Sequence, residues 1–100
     1  MNTFISASDF DAWLSNLKDH KAKARILARL QSAVFGNFSD CEPIGEGVSE
    51  MRIHVGPGYQ VYYTWTEKTI YFLLGGGDKS TQKKDIARAI KLARELKDVK

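Results

Sequence analysis

The chain has 100 residues, 43% of them hydrophobic, and a formal net charge of +3. That is one domain with a real core, which excludes a disordered chain and a second domain, while the mild positive charge permits an anionic partner. A lone cysteine, Cys41, excludes an internal disulfide and a thiolate metal cluster, no apolar run approaches the ~20 residues of a membrane span, and MNTFISASDF lacks the features of a secretory signal, so a cytoplasmic protein is expected.

In chain order, Thr3 to Ser6 reads as a short edge strand. Ser8 is expected to cap a first helix, with Asp9 and Asp11 in its first turn. Phe10, Trp13, Leu14 and Leu17 follow at i, i+3, i+4 and i+7, so Trp13 is assigned to the core. Asp19 should cap a second helix that runs to about Phe35 and stops at Gly36-Asn37. Ala22, Ile26, Leu30, Ala33 and Val34 form its apolar arc, and Lys18, Lys21, Arg25 and Arg29 line one edge of it. Such a stripe is either a solvated face or a phosphate-tracking surface. It counts as the second only beside a polar sheet face. Phe38 to Gly47 connects to the next strands, with a short strand near Cys41 to Ile44.

From Ser49 to Val55 the side chains alternate. Met51, Ile53 and Val55 point one way, and Glu50, Arg52 and His54 the other. Gly56-Pro57-Gly58 is a turn signal, followed by a second alternating run with Tyr59, Val61, Tyr63 and Trp65 opposed to Gln60, Tyr62 and Thr64. Pairing Val55 with Tyr59 sets His54 opposite Gln60 and Arg52 opposite Tyr62. A hairpin around Glu67-Lys68 then puts Ile70, Phe72 and Leu74 on the apolar face and Tyr71 on the polar one. A sheet face carrying a cation, an imidazole, an amide and phenols is a candidate working surface, since solvated faces ordinarily carry Thr, Lys and Glu. Gly75-Gly76-Gly77-Asp78-Lys79-Ser80-Thr81 is not a P-loop, because Asp78 holds the place where that pattern needs glycine. It is expected to open a helix capped by Ser80 or Thr81, with Ile86, Ala89, Ile90, Ala93 and Leu96 on the apolar face. The expected fold class is α+β: two N-terminal helices packed on an antiparallel sheet, followed by a C-terminal helix, with residues 1–100 as a single domain.

His20 and His54 are the only histidines, neither has a metal-ligand neighbour at helical spacing, and no acidic pair suits magnesium, so no metal or other cofactor is expected. Arg52, His54, Tyr62 and Lys79 remain as groups that can bind a phosphodiester and stabilise charge developing on it. His54 can also transfer protons near neutral pH. RNA supplies its own nucleophile, the 2′-hydroxyl. The plainer alternative is that Arg52 and His54 merely occupy an exposed sheet face.

The run GEGVSEMRIHVGPGYQVYY, then LLGGGDKSTQKKDIARA, resembles the RelE/ParE superfamily of type II toxin–antitoxin toxins, and within it the HigB-like addiction-module killer branch. The resemblance extends over WLSNLKD, KARILARL and GNF, which is nearly the whole chain. It implies a ribosome-dependent, metal-independent mRNA endonuclease that inhibits translation. The other activity in the superfamily is ParE-like poisoning of DNA gyrase. It further implies a cognate antitoxin from a neighbouring gene, ribosome and mRNA as partners, no membrane and no small-molecule cofactor. The catalytic role falls by motif on Arg52, His54 and position 60, with Lys79 near the glycine run. Lys21, Arg25, Arg29 and Tyr62 are the expected RNA contacts. Gln60 departs from the family's arginine, which marks an activity-weakened variant as a further alternative.

Overall fold

The computed structural model describes residues 1–67 and 69–98, so the Lys68 half of the expected Glu67-Lys68 turn lies outside the described residues. The elements in chain order are β1 (Thr3–Ser6), α1 (Ser8–Asn16), α2 (His20–Val34), β2 (Cys41–Gly45), β3 (Val48–Ile53), β4 (Tyr59–Glu67), β5 (Ile70–Asp78), a 3-10 turn (Lys79–Thr81) and α3 (Gln82–Asp98). All five strands form one sheet in the order β1-β5-β4-β3-β2.

The expected architecture is overturned on two counts. β1 runs parallel to β5, with Thr3 opposite Ile70 and Ser6 opposite Leu73, so the sheet is mixed rather than antiparallel. The helices also divide between its two faces. Phe10 of α1 and Ala22, Ile26, Leu30 and Ala33 of α2 close over Met51, Ile53, Val61, Tyr63 and Leu73. Ala89 and Ala93 of α3 close over Val48, Tyr62 and Leu74 on the reverse. Covered on both sides, β3 is buried from Val48 to Met51 and β4 from Tyr59 to Thr64 without interruption. The face expected to be open and polar therefore lies largely beneath α3. The alternation was misleading because a tyrosine or a threonine serves as an apolar surface when small residues such as alanine pack on it.

The strand register differs from expectation by an even step. Ile53 pairs with Tyr59, Arg52 with Gln60 and Glu50 with Tyr62. A shift of two residues keeps every side chain on its face, whereas a shift of one reverses them all. That reversal occurs between β4 and β5. The register shifts between Trp65 and Glu67, Trp65 pairs with Tyr71, and Glu67 pairs with Ile70. Tyr71 therefore joins the α1/α2 side, and Phe72 and Leu74 join α3, opposite to the expected sides.

The glycine run belongs to β5 and is not a flexible entry to a helix. A Cβ on Gly76 would run into the Trp13 ring, and one on Gly77 into the Asp85 carboxylate. Trp13, at 6.4 Å between ring centroids from Tyr59, thus packs α1 directly onto bare backbone. Asp78, not Ser80 or Thr81, caps the turn that follows, accepting from Ser80 N at 2.8 Å. Ala7, not Ser8, precedes α1, while Asp19 caps α2 by accepting from Ala22 N at 3.0 Å. Among the described residues no helix is long and apolar enough to cross a membrane.

Gly76→Ala is expected to cost about 1–3 kcal/mol by overpacking against Trp13. Gly75→Ala, where an added Cβ meets nothing within 4 Å, should be neutral or stabilising by about 0.4–1 kcal/mol through a stiffer unfolded chain. Urea denaturation of both variants measures the contrast.

Candidate phosphate-binding groove

The groove lies where β3 and β4 meet their connecting loop. Gly56 and Gly58 carry that loop through left-handed conformations, at φ +56° and +87°. Arg52 and Gln60 face each other across the two strands. Asp78 pairs with Tyr59, which delivers the following residue, Lys79, to the same end of the sheet. Arg52, His54, Gln60, Lys79 and Gln82, with the Gly56-Pro57-Gly58 loop, line a groove of about 610 Å³. The four residues expected to be catalytic are therefore neighbours around one concavity.

The groove's charges are already partnered. Arg52 Nε donates to Glu50 Oε2 at 2.9 Å, its guanidinium is also in contact with the Glu42 carboxylate, and Asp40 Oδ1 lies 3.9 Å from it. The Glu50 side chain is only 6% exposed and also accepts from Gln82 Nε2 at 3.4 Å. Asp40 Oδ2 stands 2.5 Å from His54 Nε2. That contact with His54, and then the charges of His54, Arg52 and Arg29, hold the Asp40 carboxyl below its ordinary range against the opposing effect of desolvation. His54 itself is 73% exposed, at the rim. An anion entering the groove meets Lys79 and His54 first. At Arg52 it competes with the carboxylates of Glu42 and Glu50 for the guanidinium donors.

Asp40, Glu42, Glu50 and Gln82 were not singled out by sequence reasoning. Alternation does place Glu50 on the face of Arg52, which was the available signal. Asp40 and Glu42 come from the connecting segment and β2, and no local pattern marks them.

Two expected RNA contacts are corrected. Arg29 is not at the surface edge of α2 as a phosphate ligand. Its guanidinium donates to the carbonyls of Arg52 at 2.5 Å, Phe38 at 3.0 Å and Asp40 at 3.4 Å, tying α2 to β3 and to the segment before β2. Tyr62 is fully buried beneath α3, so its ring is not available to stack on a base. Its hydroxyl has no hydrogen-bond partner in the protein. Burial first, then the charges of Glu50 and Asp85, push its phenol pKa upward. Lys21 and Arg25 are exposed on α2. Gln60 is 5% exposed, and its amide oxygen likewise lacks a partner. Among the described residues no group of three or more His, Cys, Asp or Glu side chains is placed to hold a metal ion.

No family model matches the chain. It is 51% identical over 87 residues to a protein of Haemophilus influenzae described as uncharacterized, an alignment that covers 87% of this chain and 88% of that protein. The chain belongs to one family with it.

Two pH responses follow from the site. With its folded pKa raised, Tyr62 keeps its proton above about pH 10 while the unfolded chain loses it, so stability falls as pH rises past that point. Tyr62→Phe should remove this share of the alkaline loss, leaving those of Tyr59 and Tyr63, and should be neutral or stabilising at pH 7 because an unpaired hydroxyl is removed. For Asp40 the sign is opposite. Its depressed pKa gives stability above the ordinary carboxylate value of about 4 that is lost as pH falls through the folded value, and Asp40→Asn should flatten that acid limb. Urea melts between acid and alkaline pH measure both slopes.

Proposed function

We propose that this chain is the toxin of a type II toxin–antitoxin module of the RelE/ParE superfamily, HigB-like branch, and cleaves mRNA on the ribosome without a metal. The observation that carries this reading is the convergence of Arg52, His54, Gln60 and Lys79 on one groove. In the proposed reaction Lys79 and Arg52 neutralise the scissile phosphate. The substrate's 2′-oxygen bonds to phosphorus, the bond from phosphorus to the 5′-oxygen breaks, and the 2′-hydroxyl proton is transferred by way of His54 to the leaving oxygen. The products are a 2′,3′-cyclic phosphate and a 5′-hydroxyl. Asp40 holds one ring nitrogen of His54 and so fixes the orientation of the imidazole. On this reading the chain works in the cytoplasm, beside the ribosome, and a cognate antitoxin encoded by a neighbouring gene keeps it in check.

A second reading rests on a different observation. Three carboxylates surround Arg52, which weakens the case for phosphate binding and favours a protein-binding poison of DNA gyrase, or a weak nuclease. In vitro translation with primer-extension mapping separates these. Codon-phased mRNA cuts support the nuclease, and gyrase-dependent DNA breaks support the poison.

For the nuclease, His54→Ala and Arg52→Ala should abolish cleavage. His54→Ala is the cleaner of the two, because the exposed imidazole leaves no buried charge behind, whereas removing Arg52 strips Glu50 of its partner. Gln60→Arg should raise cleavage by up to about 10²–10³-fold, the usual worth of one preorganised donor. Its thermal melt checks that two opposed arginines, at 60 and 52, are tolerated beside Glu50. Cleavage that survives His54→Ala unchanged removes the groove from consideration.

A further inference from the structure

β1 covers only the first half of β5. Its pairing ends at Ser6 opposite Leu73, and Ala7 N makes the last bond, to Leu73 O at 2.9 Å. From Leu74 to Asp78, β5 has β4 on one side and, among the described residues, no strand on the other. Those five residues form the floor of a cleft of about 350 Å³ whose walls are α1, with Asp9 and Trp13, and α3, with Asp85 and Arg88. The opposite margin of the sheet is blunted by Pro43 and an irregular register between Pro43 and Gly45 in β2. The Leu74–Asp78 edge has no proline, and its irregularity is confined to Leu74, where Tyr62 pairs with Gly75 and Tyr63 with Leu73, so that Gly75 to Asp78 keep a regular register with β4.

The glycines here have unequal explanations. Gly76 makes room for Trp13 and Gly77 for Asp85, but a Cβ on Gly75 would meet nothing within 4 Å. Neither internal packing nor a positive φ accounts for it, and its one feature within the fold is the register irregularity it adjoins. A glycine within a strand marks a bulge or a place where a ligand or another backbone approaches closely, and Gly75 both adjoins the bulge at Leu74 and lies on the open edge. The local charge also opposes that of the whole chain. Asp9, Asp78 and Asp85 line the cleft against Arg88 alone, within a protein of net charge +3.

We propose that the outer edge of β5 from Leu74 to Asp78 takes an extended, lysine- or arginine-bearing polypeptide segment as an added strand. Main-chain hydrogen bonds to the bare edge supply the attachment, as in other strand additions. Successive side chains of the added strand project alternately to the two faces of the sheet, toward Asp9 on the α1 wall and Asp85 on the α3 wall. A basic segment meets a carboxylate on both walls, whereas an acidic one meets only Arg88 on the α3 wall. The cleft shares no lining residue with the Arg52 groove, so this inference does not depend on the ribonuclease reading.

The test uses the whole chain, labelled with ¹⁵N, and a short capped peptide of alternating lysine and valine. Amide shifts should concentrate at Leu74 to Asp78. Backbone N-methylation at alternate peptide positions should abolish them, and glutamate in place of lysine should weaken binding at least about tenfold. Gly75→Leu keeps the fold, since its Cβ points into open space, and should block the peptide while its melting temperature stays near that of the native chain. Absence of shifts at millimolar peptide overturns the proposal. So does binding that survives N-methylation or Gly75→Leu, a glutamate peptide that binds equally, or β5 amide shifts that grow with protein concentration alone and so reveal a second copy on the edge.

Discussion

The fold depends on covering β4 from both sides. Six consecutive residues of that strand, Tyr59 to Thr64, are buried, and alternate members point to opposite helices. An antiparallel strand with one solvated face can keep polar groups in water, but a strand covered on both faces cannot. Gln60 and Tyr62 are therefore taken into the interior together with Val61 and Tyr63. The groove occurs where this cover runs out, at the end of the sheet where the β3–β4 loop, the start of α3 and the turn at Lys79 meet. Its position is a consequence of how far the helices extend.

Double coverage also explains which parts of the chain were legible. The two N-terminal helices were readable because Phe10, Trp13 and Leu14, and then Ile26, Leu30 and Ala33, recur at helical spacing, and Asp19 is a strong cap. The hairpin turn was readable from Gly56-Pro57-Gly58, and an even error in register left every face correct. The extra residue between Trp65 and Glu67 was not readable, and it reversed Tyr71, Phe72 and Leu74 together. The parallel contact of β1 with β5 joins the first strand to the last, and no local pattern records so distant a pairing. Gly75 to Gly77 read as the opening of a helix because glycine is usually informative about φ. In this chain Gly76 and Gly77 are informative about what lies against them.

The groove was legible in part for the same reason. Alternation brings Arg52, Gln60 and Glu50 to one face, and the Asp78–Tyr59 pairing brings Lys79 alongside. The carboxylates that modify it come from elsewhere. Asp40 and Glu42 reach Arg52 only because β2 pairs with β3, with Glu42 opposite Glu50. Two acids placed directly opposite each other would repel. The Arg52 guanidinium in contact with both resolves that conflict, and the arginine is as much a structural counter-ion as a candidate ligand for phosphate. A site of this kind is held in reserve by its own neighbours, and an incoming anion competes with them for the same donors.

Arg29 gives the groove a further property. Its guanidinium is used on three main-chain carbonyls, acceptors that do not titrate. Partly buried contacts of this kind are also screened less by salt than exposed ion pairs. The wall formed by β3 and the segment at Phe38 to Asp40 is therefore anchored by a connection that pH and ionic strength scarcely reach. The rim is different, since it is formed by the contact between the exposed side chains of His54 and Asp40. The groove thus combines a wall held by main-chain contacts with a rim held by one exposed side-chain contact, so that the rim can rearrange without any change in the shape of the wall.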